Sequence, residues 1–445
     1  MKAFFLAGQQ TSNRSVLALA SGVVVVAALI AARTGAQNET SPRAAAPRAA
    51  AAAKSAAVTP VAVTPVAAMS KVTLLRTPDG GIQPQAALDA KGVAHLIYFK
   101  GDPAAGDVFY VRGAGDGVWS KPLRVNSQAG SAIATGTIRG AQIALGRKGR
   151  VHVAWNGSDA APKAPGGAPM LYARRNDAGT AFEAQRNVAT WAGGLDGGGT
   201  LAADARGHVY VTWHAAPGGG DESQRAVFLA RSSDDGKSFE RERKISPQPT
   251  GACGCCAMRA FVDGRGALYI TYRAAGESVN RDMTLLTSRD AAATFQSATL
   301  HRWKIGACPM SSESLAQGKL AQGKSDGPVV AAWETEGQVY RAAVAPVAVS
   351  TAAPATTSFE PPQGAPGTKN SKGQRKHPAL AADRNGATLL AWTEGTGWAK
   401  GGALAWQVYD KSGVPLGETG RVDGVPVWSL PTTFARPGGG FVLIY

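Results

Sequence analysis

Four cysteines are the most reactive side chains in this sequence, and they fall in two short segments. The segment GACGCCAMR contains Cys253, Cys255 and Cys256, and the segment GACPMSS contains Cys308. In an oxidising compartment, an even number of cysteines predicts disulfides. We expect one bond from Cys308 to the 253–256 cluster and one within that cluster, and the spacing leaves the pairing open.

The same segments allow a soft-metal site as an alternative. Two methionines follow the cysteines at similar offsets, and thiolate and thioether sulfur atoms together suit Cu(I). His301 lies nearby in the sequence, whereas the C-x-C-C spacing is not that of a usual zinc finger. Disulfides are the interpretation we prefer, so we expect no resident cofactor. The copper alternative would use Cys253, Cys255, Cys256, Cys308, Met258 and Met310.

A second group of side chains combines guanidinium, carboxylate and imidazole groups. Its members stand just after predicted strands or in the connections between repeats, and arginine forks suit the carboxylate of a ligand. If these side chains converge on one surface, they form a binding site. The candidates are Arg139, Arg259, Arg273, His214, Glu313, Glu334, His377 and Glu394.

A repeat in the sequence must position these residues. A glycine is followed six residues later by tryptophan or tyrosine in seven segments, which are short apolar runs typical of β-strands. The intervals between successive aromatic residues are 57, 58, 59, 61, 59 and 53. The aromatic residues are Tyr98, Trp155, Trp213, Tyr272, Trp333, Trp392 and Tyr445.

Each repeat contains three further strand patterns, so a unit has four strands. Four-stranded units repeated six or seven times predict an all-β fold, the β-propeller. Seven blades are favoured, and six is the alternative because the fifth unit is irregular and residues 346–374 are low-complexity. Residues 71–77 (KVTLLRT) resemble an outermost fourth strand. We expect this strand to join the two C-terminal strands and close the ring.

The stretch SSDDGKSF, residues 232–239, has two relatives one period away, SRDAAATF and RNDAGTAF. It resembles the Asp-box, S-x-D-x-G-x-x-[WF], of the sialidase-like (BNR-repeat) propeller superfamily, over about residues 71–445. A structural turn explains the motif, because a calcium loop needs about six oxygen ligands. The predicted structural residues are Ser232, Asp234, Gly236, Phe239, Ser288, Asp290, Phe295, Asp177, Gly179 and Phe182.

The resemblance implies a site at the mouth of the central channel, on the face that carries the long Gly-rich loops. In sialidases it implies three arginines for the substrate carboxylate, a Tyr/Glu nucleophile pair and an Asp acid/base. Arg139, Arg259 and Arg273 are candidates for the arginines. The family's F/Y-R-I-P segment is missing, and GIQPQAAL stands in its place. The catalytic residues are therefore unassigned, and enzymatic activity is left open.

The N-terminal part predicts export. Residues 1–36 contain basic residues and a 17-residue apolar run, as in a signal peptide, with an uncleaved membrane anchor as the alternative. Residues 37–70 form an Ala/Pro-rich linker, and residues 71–445 form the propeller domain. We therefore expect a bacterial periplasmic or secreted protein that is a monomer.

The charge distribution narrows the class of partner. The chain carries +16, and residues 1–69 hold six basic and one acidic residue, which leaves +11 for the rest. A basic surface attracts polyanions, and export argues against nucleic acid. A genome rich in arginine would explain the same charge. The function we prefer is recognition of an acidic carbohydrate or cell-envelope polyanion. If the protein is an enzyme, it hydrolyses the same ligand. A non-catalytic envelope scaffold and a copper- or redox-linked propeller are the alternatives.

Overall fold

The computed structural model describes residues 72–163, 167–318, 327–345, 363–365 and 374–445. The predicted signal peptide or anchor and the linker lie outside the described residues. Strand β1 (Val72–Leu75) begins the described chain, and two short 3₁₀ turns follow at Pro78–Gly80 and Arg147–Gly149. In the described part of the chain, no helix has the length and apolar character needed to cross a membrane.

Strands β2 to β25 form six consecutive antiparallel sheets of four, ordered as they occur in the sequence. Blade 1 contains β2 (Ile82–Leu88), β3 (Ala94–Lys100), β4 (Asp107–Gly113) and β5 (Leu123–Arg124). Blade 2 contains β6 (Gln142–Leu145), β7 (Val151–Asn156), β8 (Met170–Arg174) and β9 (Arg186–Asn187). Blade 3 contains β10 (Thr200–Ala203), β11 (Val209–Ala215), β12 (Ala226–Ser232) and β13 (Arg243–Lys244).

The second half of the chain repeats the same pattern. Blade 4 contains β14 (Met258–Val262), β15 (Leu268–Arg273), β16 (Met283–Ser288) and β17 (Gln296–His301). Blade 5 contains β18 (Glu313–Gln317), β19 (Val329–Thr335), β20 (Gln338–Val344) and β21 (Gln363–Gly364). Blade 6 contains β22 (Arg375–Ala382), β23 (Thr388–Glu394), β24 (Gly402–Tyr409) and β25 (Pro415–Val425). Blade 7 begins with β26 (Thr432–Ala435) and β27 (Phe441–Ile444).

The ring therefore has seven blades, and the six-blade alternative is wrong. Blade 5, whose irregular sequence raised that alternative, has its four strands in order. The seven-bladed all-β propeller predicted from the repeat is confirmed.

The seven repeated aromatic residues explain how the blades stack. Each lies at or near the end of the second strand of its blade, and each belongs to a different one of seven apolar clusters between neighbouring blades. Trp155 lies between blades 1 and 2, and Trp213 between blades 2 and 3, both almost fully buried. A large buried aromatic side chain removes much apolar surface from water, so the repeat marks the radial core of the ring.

Blade 7 closes the ring with strands from both ends of the described chain. Strand β1 pairs with β27 in parallel, with Val72 opposite Phe441 and Leu75 opposite Ile444. The predicted pairing of the two ends is confirmed, but in the described residues this blade has three strands. Strand β1 therefore has the direction of a fourth strand and occupies the third position.

The Asp-box of residues 232–239 is a turn held by its own side chains. The Ser232 hydroxyl donates to Asp234 Oδ1 at 2.7 Å and accepts from the Gly236 amide at 2.9 Å. Asp234 also accepts from the Ser238 amide at 2.9 Å and the Ser238 hydroxyl at 2.6 Å. Burial acts to raise the pKa of Asp234, but these hydrogen bonds lower it to about 2. The Asp234 carboxylate therefore accepts its hydrogen bonds from residues of the same turn and has a structural role.

The other two Asp-boxes, at residues 288–295 and 175–182, differ from the first in the residues that hold the turn. Ser288 and Asp290 repeat the first pattern, with Ala292 holding a positive φ of 66° where the first box has glycine. In the third box the Thr180 amide donates to Asn176 Oδ1 at 2.9 Å, while Asp177 forms an ion pair with Arg150. Asn176 therefore accepts the turn hydrogen bond that the sequence pattern predicts for Asp177.

We expect Gly236→Ala to destabilise the protein more than Gly179→Ala. Both glycines have positive φ, 78° and 63°, so alanine should cost about 1–2 kcal/mol at either position. A Cβ at position 236 would also lie 1.8 Å from the Tyr172 hydroxyl, whereas at 179 the nearest atom is 3.7 Å away. The overlap should add about 1–3 kcal/mol. Urea unfolding measures both, and equal losses would contradict the packing of this turn.

Candidate functional site at the channel mouth

The innermost strands of the seven blades surround a central channel with a cavity of about 710 Å³. The mouth is the end at which the blade-to-blade connections meet the inner strands. The Asp-boxes and the short turns between first and second strands lie at the opposite face. Polar side chains on the wall towards the mouth are Gln83, Gln85, Thr137, Gln142, Arg259, Ser312, Glu313 and His377. Three predicted candidates, Arg259, Glu313 and His377, are thus brought together on one wall.

Arg259, on β14, reaches across the channel to the inner strands of blades 1 and 2. Its Nη1 donates to Gln85 Oε1 at 2.9 Å and to Gln142 Oε1. Burial lowers the pKa of Arg259 to about 10, although the nearby Glu313 acts in the opposite direction. The guanidinium therefore remains charged at neutral pH. Among the described residues, no carboxylate lies within ion-pair distance of it.

Glu313, the first residue of β18, is a second charged-type residue of the channel whose side chain has an unusual environment. Its side chain lines the channel, the residue is only 7% exposed, and both carboxyl oxygens lack a hydrogen-bond partner in the described part of the chain. Burial raises its pKa well above the usual 4.5, although Arg273 acts to lower it. Burial therefore favours the neutral form of Glu313 over its carboxylate.

The candidates at the ends of the second strands do not line the channel. Asn156 donates to the Gly197 carbonyl and accepts from the Gly199 amide at 3.2 Å, which fastens the connection into blade 3. His214 approaches the Cys256 carbonyl at 3.3 Å, in the connection into blade 4, and burial lowers its pKa to about 4. Both side chains join one blade to the next.

Arg273 and Glu334 continue this pattern. Arg273 donates from Nε to Ser311 Oγ at 2.7 Å, from Nη1 to the Arg281 carbonyl at 2.6 Å, and from Nη2 to the Glu334 carbonyl. Glu334 accepts from the Ser312 amide at 3.1 Å and the His377 amide at 3.2 Å. Burial raises the pKa of Glu334, and Lys376 opposes this. These charges stabilise the connections into blades 5 and 6.

Two of the remaining candidates, Arg139 and Glu394, do not line the channel, whereas His377 does. Arg139 forms an ion pair with Asp196 at 2.7 Å, and Glu394 pairs with Arg375 at 3.3 Å and Arg421 at 3.2 Å. His377 Nδ1 lies 3.0 Å from the Ser312 hydroxyl, and burial lowers the pKa of this imidazole to about 3. Of the three arginines predicted as a triad, only Arg259 lines the channel.

Two tryptophans at the rim were missed as site candidates. Trp398, in the loop after β23, is 59% exposed, and its ring meets that of Trp428 edge to face at 6.4 Å. The Trp428 carbonyl accepts from Gln83 Nε2 at 2.8 Å, and Trp398 lies against Gly136, next to the channel residue Thr137. The signal was available in the sequence, since a tryptophan on the Gly-rich stretch GTGWAKGG has little apolar surface to cover it.

The cysteines lie beside the mouth, on the connections into blades 4 and 5. Cys255 and Cys308 form a disulfide with a Cα–Cα distance of 6.3 Å, while Cys253 and Cys256 are buried thiols with sulfur atoms 2.7 Å apart. Burial acts to raise the pKa of Cys256, but hydrogen bonding from Cys253 and the charge of Arg273 lower it to about 7. The hydrogen bond to Cys256 raises the pKa of Cys253.

The structure supports only part of the ligand set that the copper alternative requires. The sulfur atoms of Cys253, Cys255 and Cys256 lie within 4.8 Å of one another. Met258, however, packs in the apolar cluster between blades 3 and 4. His301 Nδ1 accepts from Trp333 Nε1 at 3.1 Å. These two side chains are therefore already used within the blades.

Comparison with known proteins gives likenesses of structure only. No protein-family model and no curated protein match the sequence. A Hadza microbial sialidase is 14% identical with a TM-score of 0.47, covering 75% of this chain and 66% of its own. A Penicillium chrysogenum α-L-arabinanase complexed with arabinobiose is 14% identical with a TM-score of 0.47, over 78% of this chain and 99% of its own. A fucose-specific lectin from Aleuria aurantia is 13% identical with a TM-score of 0.44, over 78% and 95%. The fold assignment accordingly rests on the strand pairing itself.

We expect Glu313→Gln to stabilise the protein at neutral pH and to lose that effect near pH 4.5. The folded-state pKa of Glu313 is raised, so ionisation of the unfolded chain above pH 4.5 favours unfolding of the wild type. Glutamine removes this penalty. Urea unfolding at pH 4.5 and pH 7.5 measures the difference.

Glu334→Gln is the matched control for this experiment. Its carboxylate accepts two backbone amides, so an amide side chain should lose stability at both pH values. The loss should be smaller at pH 7.5 than at pH 4.5, because burial raises the pKa of Glu334 as well. A Glu313→Gln variant that is destabilised equally at both pH values would contradict the neutral, unpartnered state of Glu313.

Proposed function

We propose that this protein recognises an acidic carbohydrate at the channel mouth, with Arg259 binding the carboxylate of the ligand. The observation that carries this proposal is the pairing of Arg259, whose described partners are the two neutral amides of Gln85 and Gln142. A half-buried guanidinium without a carboxylate partner is electrostatically costly, and an anionic ligand supplies the missing charge.

The charge balance of the channel wall supports an anion over a cation. Glu313, the carboxyl group that acts on Arg259, has a pKa raised by burial, which favours its neutral form, and it lies beyond ion-pair distance of Arg259. The positive charge of Arg259 is therefore not cancelled locally. The cavity of about 710 Å³ is within the usual range of about 300–1,000 Å³ for small-molecule sites.

The rim supports a carbohydrate over a simple anion. Trp398 offers an exposed aromatic face next to the channel, and such a face packs against the apolar side of a sugar ring. The side-chain oxygen of Gln83 is buried, lines the same wall and lacks a partner among the described residues. It can accept a hydrogen bond from a sugar hydroxyl.

The site favours binding without hydrolysis. A sialidase mechanism needs a tyrosine nucleophile, and no tyrosine is among the described residues that line the channel. Arg139 and Arg273 are engaged with protein groups, which leaves one arginine of the three. Glu313, a neutral acid, would be the proton donor if the protein does hydrolyse its ligand.

The proposed function includes export of the protein from the cytoplasm. The apolar run of residues 16–32 and the +11 charge of the chain after residue 69 support a protein that meets polyanionic glycans outside the cytoplasm.

We expect Arg259→Gln to weaken binding of an acidic sugar by about 1.5–3 kcal/mol, or at least about tenfold in Kd. Calorimetric titration with sialyllactose and oligogalacturonate, and with lactose as the neutral probe, measures this. Arg384→Gln is the matched control, because Arg384 lies at the opposite end of the same channel. A fluorogenic sialoside tests hydrolysis in parallel.

Two results would overturn the proposal. One is equal affinity for lactose and sialyllactose, and the other is an Arg259→Gln variant that is folded and binds the acidic sugars as the wild type does. A third result would change the proposed function from recognition to hydrolysis. In that result the wild type hydrolyses the sialoside, and Glu313→Gln binds it without hydrolysing it.

A further inference from the structure

We propose that the four cysteines form a thiol–disulfide exchange site, in which an external disulfide or dithiol reacts at Cys308 and the buried Cys253–Cys256 pair holds or releases two electrons. This inference is independent of carbohydrate binding. It rests on the arrangement of four sulfur atoms and on the groove beside the outermost one.

The sulfur atoms form a continuous series from the interior to the surface. Cys256 Sγ lies 2.7 Å from Cys253 Sγ, which lies 3.4 Å from Cys255 Sγ. Cys255 is bonded to Cys308. Thiol–disulfide exchange needs a thiolate in contact with a disulfide sulfur, and Cys253 is the thiol in that position.

Backbone hydrogen bonds hold this series in place. The Cys253 amide donates to the Arg273 carbonyl at 2.8 Å, and the Cys256 amide donates to the Cys253 carbonyl at 3.3 Å. The Ala257 amide donates to the Ser311 carbonyl at 2.9 Å, which joins the two connections that carry the cysteines. Short steps between fixed sulfur atoms favour exchange over slow rearrangement of the chain.

The two ends of the series differ in access. Cys253 and Cys256 are buried, whereas Cys308 is exposed. Cys308 also lies on the wall of a groove of about 810 Å³, beside Trp303 and Ala307. A small peptide disulfide or a protruding loop can therefore reach Cys308, but not the inner pair. The substrate class is a thiol or disulfide carried by such a peptide.

The internal exchange conserves atoms and electrons. Cys253 transfers its proton to the Cys256 thiolate as its sulfur attacks Cys255, so the Cys253–Cys255 bond forms and Cys308 leaves as a thiolate. Cys256 then loses that proton to water and attacks Cys253, so the Cys253–Cys256 bond forms and Cys255 leaves as a thiolate. One disulfide and two thiols are present before and after, and nothing is oxidised overall.

The external step restores the outer bond. The Cys308 thiolate attacks an external disulfide, forms a mixed disulfide and releases one thiolate. Cys255 then attacks Cys308 and releases the second thiolate. The net reaction oxidises the Cys253–Cys256 dithiol to a disulfide and reduces one external disulfide to two thiols. The same steps in reverse oxidise an external dithiol.

Thiol trapping on the purified full chain tests this proposal. The protein is equilibrated with mixtures of reduced and oxidised glutathione in the presence of a chelator, quenched with acid, alkylated with N-ethylmaleimide and mapped by mass spectrometry. We expect Cys253 and Cys256 to lose alkylation together as the oxidised fraction rises, and glutathione adducts to be trapped on Cys308.

Three serine variants separate the steps. Cys253→Ser should abolish transfer and leave the Cys255–Cys308 bond in place. Cys256→Ser should slow the first attack, because the proton acceptor is gone, and should prevent the second, so that any exchanged product has a Cys253–Cys255 bond and a free Cys308. Cys308→Ser should slow oxidation of the inner pair, because the exposed sulfur is gone.

Several outcomes would overturn the proposal, and three of them need only the wild type. Glutathione adducts on Cys253 or Cys256 without any on Cys308 would do so, as would an inner pair that stays reduced in oxidised glutathione. Four thiols with stoichiometric copper or zinc before chelation would establish a metal site instead. A folded Cys308→Ser variant that oxidises at the wild-type rate would remove the role of the exposed cysteine.

Discussion

The pairing of β1 with β27 is the constraint on which the rest of this structure depends. Six of the seven blade interfaces join sheets that follow one another in the sequence, whereas the seventh joins the two ends of the described chain. Hydrogen bonds reinforce that seventh interface, from the Thr77 amide to the Tyr445 carbonyl at 3.0 Å and from the Ala86 amide to Thr432 Oγ1 at 3.1 Å. Without closure, β26 would lose its place beside β2, and the channel would have an open side.

A closed ring explains where the charged residues go. Both faces of each sheet pack against a neighbouring blade, so a polar side chain on a second strand must find a partner in the next blade. Arg273 does so with three donated bonds, and Glu334 with two accepted ones. Against this background of paired groups, and among the residues that the structure describes, Arg259 has no carboxylate partner and the Glu313 carboxyl group has no hydrogen-bond partner. Such exceptions in a cavity are typical of a ligand site.

The sequence predicts the fold well because the repeat and the core are the same residues. The spacing of Trp155, Trp213 and the other aromatic residues sets the blade count, and the Asp-box predicts its turn. The site is predicted less well. Residues after the second strands were expected to face the mouth, but in a propeller only the innermost strands reach the axis. Arg259, Glu313 and His377 meet this condition because they lie on innermost strands. The pairing of Cys255 with Cys308 depends on the distance between two connections, which spacing along one chain does not determine.

The cysteine cluster and the channel share their supporting segments. The connection that carries Cys253, Cys255 and Cys256 leads directly into β14 and Arg259, and the connection that carries Cys308 leads into β18 and Glu313. Ser311 links them, since its hydroxyl accepts from Arg273 at 2.7 Å and donates to Cys256 Sγ at 3.3 Å. When the Cys256 thiolate enters a disulfide, it loses its charge and becomes a weaker acceptor for that hydroxyl. The electrostatic balance around Arg273 and Glu313 then changes as well, because Arg273 acts on the pKa of Cys256 and Cys256 acts on the pKa of Glu313. The fold therefore places a redox-sensitive group one connection away from both Arg259 and Glu313.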